Sequence, residues 1–158
     1  MVIAVEQARL NTYLVEDNRT IRENLVGTLE ELAAIHVVGY AEGEDEARGW
    51  LDDHGSSWHL AIIDLFLKQG SGLGVLQACT RRKPQQKVVV LTNYATPDIR
   101  KRCLELGADA VFDKSNEIDG LVDYCLAHAA PQSTDASRPG TEPTAPAFVS
   151  VGDTVREG

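Results

Sequence analysis

Five short apolar runs rich in β-branched residues punctuate the chain: Thr12–Glu16 (TYLVE), Val37–Ala41 (VVGYA), Leu60–Asp64 (LAIID), Val88–Leu91 (VVVL) and Ala110–Phe112 (AVF). Each is followed by a stretch of helical length with amphipathic spacing. A strand that is apolar on both sides must be covered on both faces, and a helix after every strand returns the chain to start the next strand in the same direction. The pattern therefore predicts an α/β fold built from βαβ units, with a parallel five-stranded sheet between two layers of helices.

The helix signals agree with this. Asp17 or Asn18 stands as a cap before Ile21, Leu25, Leu29 and Leu32, which predicts a first helix to about Ala33. A second spans about Glu44 to Asp53 and runs out in the turn-rich DDHGSS. A third is expected from Gly72 to about Arg82, stopped by Pro84. Thr96-Pro97-Asp98 opens a fourth and Gly107 closes it. Ser115 is the expected cap of the fifth, whose apolar stripe is Ile118, Leu121, Val122 and Cys125. The expected organisation is an extension over 1–10, one domain over 11–130 and a tail over 131–158. That tail, rich in Pro, Ser, Thr and Gly, is too poor in large apolar residues to offset its ordering entropy and is expected to be disordered, with a short recognition segment around Phe148–Val151 as the alternative.

Composition narrows the function classes. The 158 residues carry 24 acidic against 15 basic side chains, a formal charge of −9. That excess argues against a partner that is a nucleic-acid backbone. Glu6 and Arg9 interrupt the apolar start before a signal-peptide core or a membrane span forms, so a cytoplasmic protein is expected. Cys79, Cys103 and Cys125 lack metal-ligand spacing and fall in predicted helices, where they read as small buried apolar residues.

In open parallel sheets ligands bind beyond the carboxyl ends of the strands. Here the first strand ends in Glu16-Asp17, the third in Asp64, the fourth in Thr92 and the fifth beside Lys114. Three carboxylates at one sheet edge repel one another unless a cation neutralises them, and oxygen ligands select a hard ion such as Mg²⁺. Such an ion also screens an incoming phosphoryl group from the carboxylate that attacks it, which makes an aspartate usable as a nucleophile. Lys114 offers a fixed positive charge and Thr92 a hydroxyl donor for a phosphoryl oxygen. Taken singly, an acid at a strand end is a helix cap, a lysine is solvated and a threonine begins a turn; it is the ordered set that points to phosphoryl chemistry.

The segments LVEDN, AIIDLFL, VVVLTNYA and GADAVFDKS resemble the signature segments of bacterial response-regulator receiver domains, and the likeness spans about residues 10–130. The resemblance implies a doubly wound, flavodoxin-like sheet in the order 2-1-3-4-5. It implies Asp64 as phosphoacceptor, Glu16 and Asp17 as the acidic pair holding Mg²⁺, and a metal contact from the Phe66 backbone carbonyl. Thr92 and Lys114 become the switch residues that touch the phosphoryl group. The donor would be a phosphohistidine on a sensor kinase or phosphotransfer protein. The chain would be a phosphoacceptor switch rather than a turnover enzyme, signalling by protein contact or passing the group onward, with homodimerisation through the fourth and fifth helices as a further family contact.

Three positions depart from the family pattern. Val111 stands where an aromatic that swings inward on activation is usual, and Phe112, one residue on, should face the opposite side of the sheet. Ser115 replaces the proline that commonly follows the lysine, and Lys68 replaces a proline after the phosphorylation-site strand. Phe66 and Tyr94, each two residues beyond a site residue, are expected to flank the route of an attacking water and slow hydrolysis of the phosphoaspartate. An aspartyl phosphatase would carry its nucleophile on the first strand, and a nucleotide-binding fold would need glycines in VEDNRT, which has none. The alternative that stays open is a receiver-like binding module that works without phosphorylation.

Overall fold

The computed structural model describes residues 9–129. The elements run β1 (Leu10–Val15), α1 (Arg19–Leu32), β2 (Ile35–Ala41), α2 (Glu44–His54), β3 (Leu60–Ile63), α3 (Gly72–Ala78), β4 (Lys87–Thr92), α4 (Pro97–Glu105), β5 (Ala110–Asp113) and α5 (Ile118–Ala129). The strands pair in parallel in the order β2-β1-β3-β4-β5, the doubly wound arrangement expected. The expected extension and tail, with Phe148–Val151, lie outside the described residues apart from Arg9 and Leu10; β1 already begins at Leu10.

Strand alternation sorts the core into two layers. Tyr13, Val15, Ala61, Ile63, Val88, Val90 and Val111 face α2, α3 and α4 through Ala47, Leu51, Val75, Leu76 and Cys103. Leu14, Ile35, Leu60, Ile62, Val89 and Leu91 face α1 and α5 through Leu25, Leu29, Leu121 and Cys125. Each fully buried Leu or Ile in these layers contributes about 1.5–3 kcal/mol. Val111 and Phe112 pack in opposite layers, as their adjacency on a strand dictates. All three cysteines are buried and free.

Caps fix the helix starts that aim the site loops. The Asn18 side chain accepts from Ile21 N at 2.9 Å, so Asn18 and not Asp17 caps α1, which leaves Asp17 for other work. Thr96 caps α4 with Pro97 in its first turn, as expected. Two expectations are corrected. α3 ends at Ala78 rather than near Arg82, because Cys79, Thr80 and Arg82 donate to carbonyls three residues back and the chain tightens into turns well before Pro84. Ser115 does not cap α5: the helix begins three residues later, its first turn closed by the bond from Leu121 N to the Glu117 carbonyl, while Ser115 N binds Asp113 Oδ1 at 2.7 Å.

Candidate functional site

The carboxyl ends of β1, β3, β4 and β5 bring the five predicted polar residues together. Glu16 is 2% exposed, Asp64 8% and Thr92 fully buried. The neighbouring strands set their height: Glu16 N donates to Ala41 O at 3.0 Å, Asp64 N to Val15 O at 3.0 Å and Lys114 N to Thr92 O at 2.9 Å. The Lys114 ammonium reaches across from the β5 end to Glu16 Oε1 at 2.5 Å and Asp64 Oδ2 at 3.0 Å. Glu16 Oε2 is held by Asn18 N at 3.0 Å. Asp17 Oδ2 accepts from Lys68 N at 2.7 Å, which ties the β1 end to the loop after β3.

That loop can pass so close only because position 72 is glycine: a Cβ there would lie 2.2 Å from the Asp64 carbonyl oxygen and 2.7 Å from Leu65 Cα. Phe66 and Tyr94 stand at the mouth of the site, 53% and 59% exposed, with their rings in edge contact at 4.8 Å and 71°. Thr92 Oγ accepts from Tyr94 N at 3.1 Å, and its own proton has no acceptor among the described residues.

The electrostatics leave the site short of positive charge. Burial pushes the Asp64 carboxyl above its ordinary range and the Glu16 charge adds to this, against the ammonium and hydrogen bond of Lys114 and the Phe66 backbone N–H, which pull it down. Burial works against the Lys114 ammonium, yet its bonds to Glu16 and Asp64 and their charges outweigh it and carry Lys114 above its ordinary value. One ammonium therefore faces three carboxylates. Oxygens of Glu16, Asp17 and Asp64 lie within 4.8 Å of one another. An all-oxygen, negatively charged cluster of that size fits a hard divalent cation, whose charge would offset what Lys114 leaves uncompensated.

The sequence profile of the response regulator receiver domain matches residues 12–125, most of the chain. The chain belongs to this family. Receiver domains serve a phosphoacceptor role, bind Mg²⁺ in an acidic pocket and interact with sensor kinases or phosphotransfer proteins. Among curated relatives, this receiver is 33% identical over 67 residues to the photosynthetic apparatus regulatory protein RegA of Rhodobacter capsulatus, covering 42% of this chain and 36% of that protein. It is 28% identical over 115 residues to the uncharacterized transcriptional regulatory protein YvfU of Bacillus subtilis, covering 72% and 56%. The chain thus spans about a third to just over half of these relatives. Solved structures of the same fold include a DNA-binding response regulator of the LuxR family from Staphylococcus aureus (TM-score 0.67, 18% identity, 76% of this chain and 98% of that one). Another is the phosphorylated cyanobacterial phytochrome response regulator RcpA (TM-score 0.61, 24% identity, 76% and 91%). Among the described residues of this receiver no helix is long and apolar enough to cross a membrane.

Sequence reasoning missed three supporting groups. Arg22, 6% exposed on α1, donates to the Glu16 carbonyl at 3.0 Å and pairs with Glu42 at 2.9 Å, so it braces the β1 end from below. Glu44 accepts from Ser71 N at 2.9 Å and steadies the loop after β3. Arg100 on α4 joins Glu117 at 2.8 Å. A buried arginine on a predicted apolar face is a signal for the first; the other two depend on loop geometry that spacing does not encode.

Proposed function

We propose that this receiver accepts a phosphoryl group from a phosphohistidine onto Asp64, with Mg²⁺ held by Glu16, Asp17, Asp64 and the Phe66 backbone carbonyl, and signals through its α4, β5 and α5 surface. The observation that carries this reading is Lys114 bridging the buried Asp64 and Glu16 beside Asp17. In the transfer, an Asp64 carboxylate oxygen forms the new P–O bond while the P–N bond to the donor imidazole breaks; the electron pair stays on the imidazole nitrogen, which takes a proton. A bound Mg²⁺ supplies charge neutralisation for the carboxylates and phosphoryl oxygens. Lys114 follows the charge as it moves from carboxylate to phosphoryl oxygen, and Thr92, with its proton unassigned, donates to the same group. Burial keeps Asp64 poorly solvated and so available for attack once its counter-charges are in place.

The partners in this reading are a sensor histidine kinase or phosphotransfer protein upstream and an output protein, or a second histidine, downstream. Catalysis is confined to the protein's own phosphorylation and dephosphorylation. The edge contact of Phe66 and Tyr94 supports their role as a screen against water at the acyl phosphate. The test is incubation with phosphoramidate, a small P–N donor, and Mg²⁺, followed by borohydride reduction, which converts an aspartyl phosphate to homoserine. Homoserine at position 64 is expected; its absence there, with the donor consumed by no other residue, would favour the phosphorylation-independent binding module.

A further inference from the structure

Arg100 stitches the loop after Thr92 to the loop that carries Lys114, beside the weaker bond from Ser115 Oγ to Asn93 Oδ1 at 3.4 Å. From the first turn of α4 its Nε donates to Ala95 O at 3.0 Å, its Nη1 to Val111 O at 3.1 Å and its Nη2 to Glu117 Oε1 at 2.8 Å. Glu117 Oε1 in turn accepts from Asp113 N at 2.8 Å, the residue before Lys114. On the other side, Ala95 follows Tyr94, whose N–H donates to the Thr92 hydroxyl. Together with the bond from Lys114 N to Thr92 O these contacts close a ring around the two residues that face the phosphoryl position. The ring passes through β4, α4, β5 and the approach to α5. The guanidinium is about one-third exposed, so its bonds compete with water and can open without unfolding the domain. The acid is held in its charged form: the hydrogen bond from Arg100, then that from Asp113 N, keeps the Glu117 carboxyl below its ordinary range.

We propose that the Arg100–Glu117 pair is a latch that holds the β4–α4 loop against the β5–α5 loop while Asp64 is free, and that opens on phosphorylation. This rests on Asp64 being the acceptor. When Thr92 and Lys114 turn toward phosphoryl oxygens, the Thr92 hydroxyl leaves its Tyr94 N–H partner and the Lys114 segment shifts. Ala95 and Asp113, which Arg100 and Glu117 hold, are displaced in opposite halves of the ring. Val111, apolar and 9% exposed, offers no polar or bulky side chain to bridge the same gap, so the link runs through the arginine. The latch gives α4 two positions, and the α4–β5–α5 surface its two forms.

The experiment is amide hydrogen exchange by NMR on the full chain, with and without beryllofluoride and Mg²⁺ as the phosphoryl mimic, on wild type, Arg100→Met and Glu117→Gln. In the wild type the Tyr94 and Asp113 amides are expected to exchange slowly in the free state and about fivefold or more faster with the mimic bound. In both variants the free-state rates should already be raised and the mimic should change them little. Glu117→Gln keeps the size of the side chain and an acceptor for Asp113 N, so it tests the ion pair separately from folding, which unchanged far-UV dichroism confirms. Mimic bound at Asp64, seen by fluorine NMR, with unchanged exchange at both amides would overturn the latch alone. So would variants that keep the full wild-type difference. No fluorine signal at Asp64 would overturn the acceptor reading, and the latch with it.

Discussion

Removing the charge of Lys114 tests how the acidic cluster is held together. In Lys114→Met the aliphatic stem stays and the ammonium goes, which strips the partner from Glu16 Oε1 and Asp64 Oδ2; the three side chains are only 10%, 2% and 10% exposed. Breaking a buried pair by removing one partner costs about 3–5 kcal/mol. Here the sum is smaller, because Asp64, whose carboxyl already sits above its ordinary range, can take a proton in compensation. We expect a loss of about 2–3 kcal/mol in a chelator at neutral pH, or roughly 1–1.5 M in the urea midpoint for an m-value of about 2 kcal/mol/M. Mg²⁺ at a hundredfold excess over its dissociation constant adds about 2.7 kcal/mol to a native state that alone binds it. With the competing ammonium gone, the ion becomes the main counter-charge, so the gain between chelator and Mg²⁺ should be larger in the variant than in the wild type. The assay is urea unfolding followed by tryptophan fluorescence, which Trp58, buried at 2% exposure, makes sensitive to unfolding. A variant as stable as the wild type in chelator, or an equal Mg²⁺ increment in both, would refute the reasoning.

Other expectations follow from the same geometry. Replacing Phe66 and Tyr94 together by serine removes the ring pair at the mouth of the site and should speed phosphate loss severalfold with little change in the rate of phosphorylation; equal decay half-lives would end the screening role. Gly72→Ala puts a Cβ against the Asp64 backbone, where nothing flexible can give way, and should cost at least about 1–3 kcal/mol by thermal or urea unfolding while weakening Mg²⁺ binding. Burial pushes the Cys79 thiol up to about 11 and the Cys125 thiol to about 12, so at pH 8 less than about one molecule in a hundred carries either thiolate. Labelling by a thiol reagent should accordingly be slow in the native state and fast in denaturant; rapid native labelling of either would contradict their placement.

The inner strands β1, β3 and β4 were legible because they are buried on both faces and read as apolar runs, while the edge strand β2 exposes Val38 and Tyr40; strand alternation placed Val111 and Phe112 on opposite sides of the sheet. The strand-end polar residues were legible because topology alone brings the ends of β1, β3, β4 and β5 to one edge. What sequence missed lies in interactions set by packing. The start of β2 at Ile35 was hidden because α1 ends through Ala34 in a left-handed conformation (φ 56°), which no glycine announces. Ser115 carries the chemistry of a cap, but its hydroxyl donates to Asn93 Oδ1 at 3.4 Å and the helix starts beyond Glu117. α3 stops at Ala78 because the following N–H groups donate to carbonyls three residues back in tight turns, not because a proline forbids continuation. The roles of Arg22 and Arg100 arise from bonds to backbone carbonyls of other elements, and that of Glu117 from accepting the Asp113 N–H and the Arg100 guanidinium; residue type alone does not show which of these groups will be near.

The most direct test of the central claim is intact mass spectrometry after incubation with acetyl phosphate, on the wild type with Mg²⁺, the wild type with chelator, and Asp64→Ala with Mg²⁺. The account predicts a mass gain of one phosphoryl group in the first sample and none in the other two. A gain that persists without Asp64 or without the metal would contradict the site as drawn, and no gain in any sample would make a binding module of receiver fold the better reading.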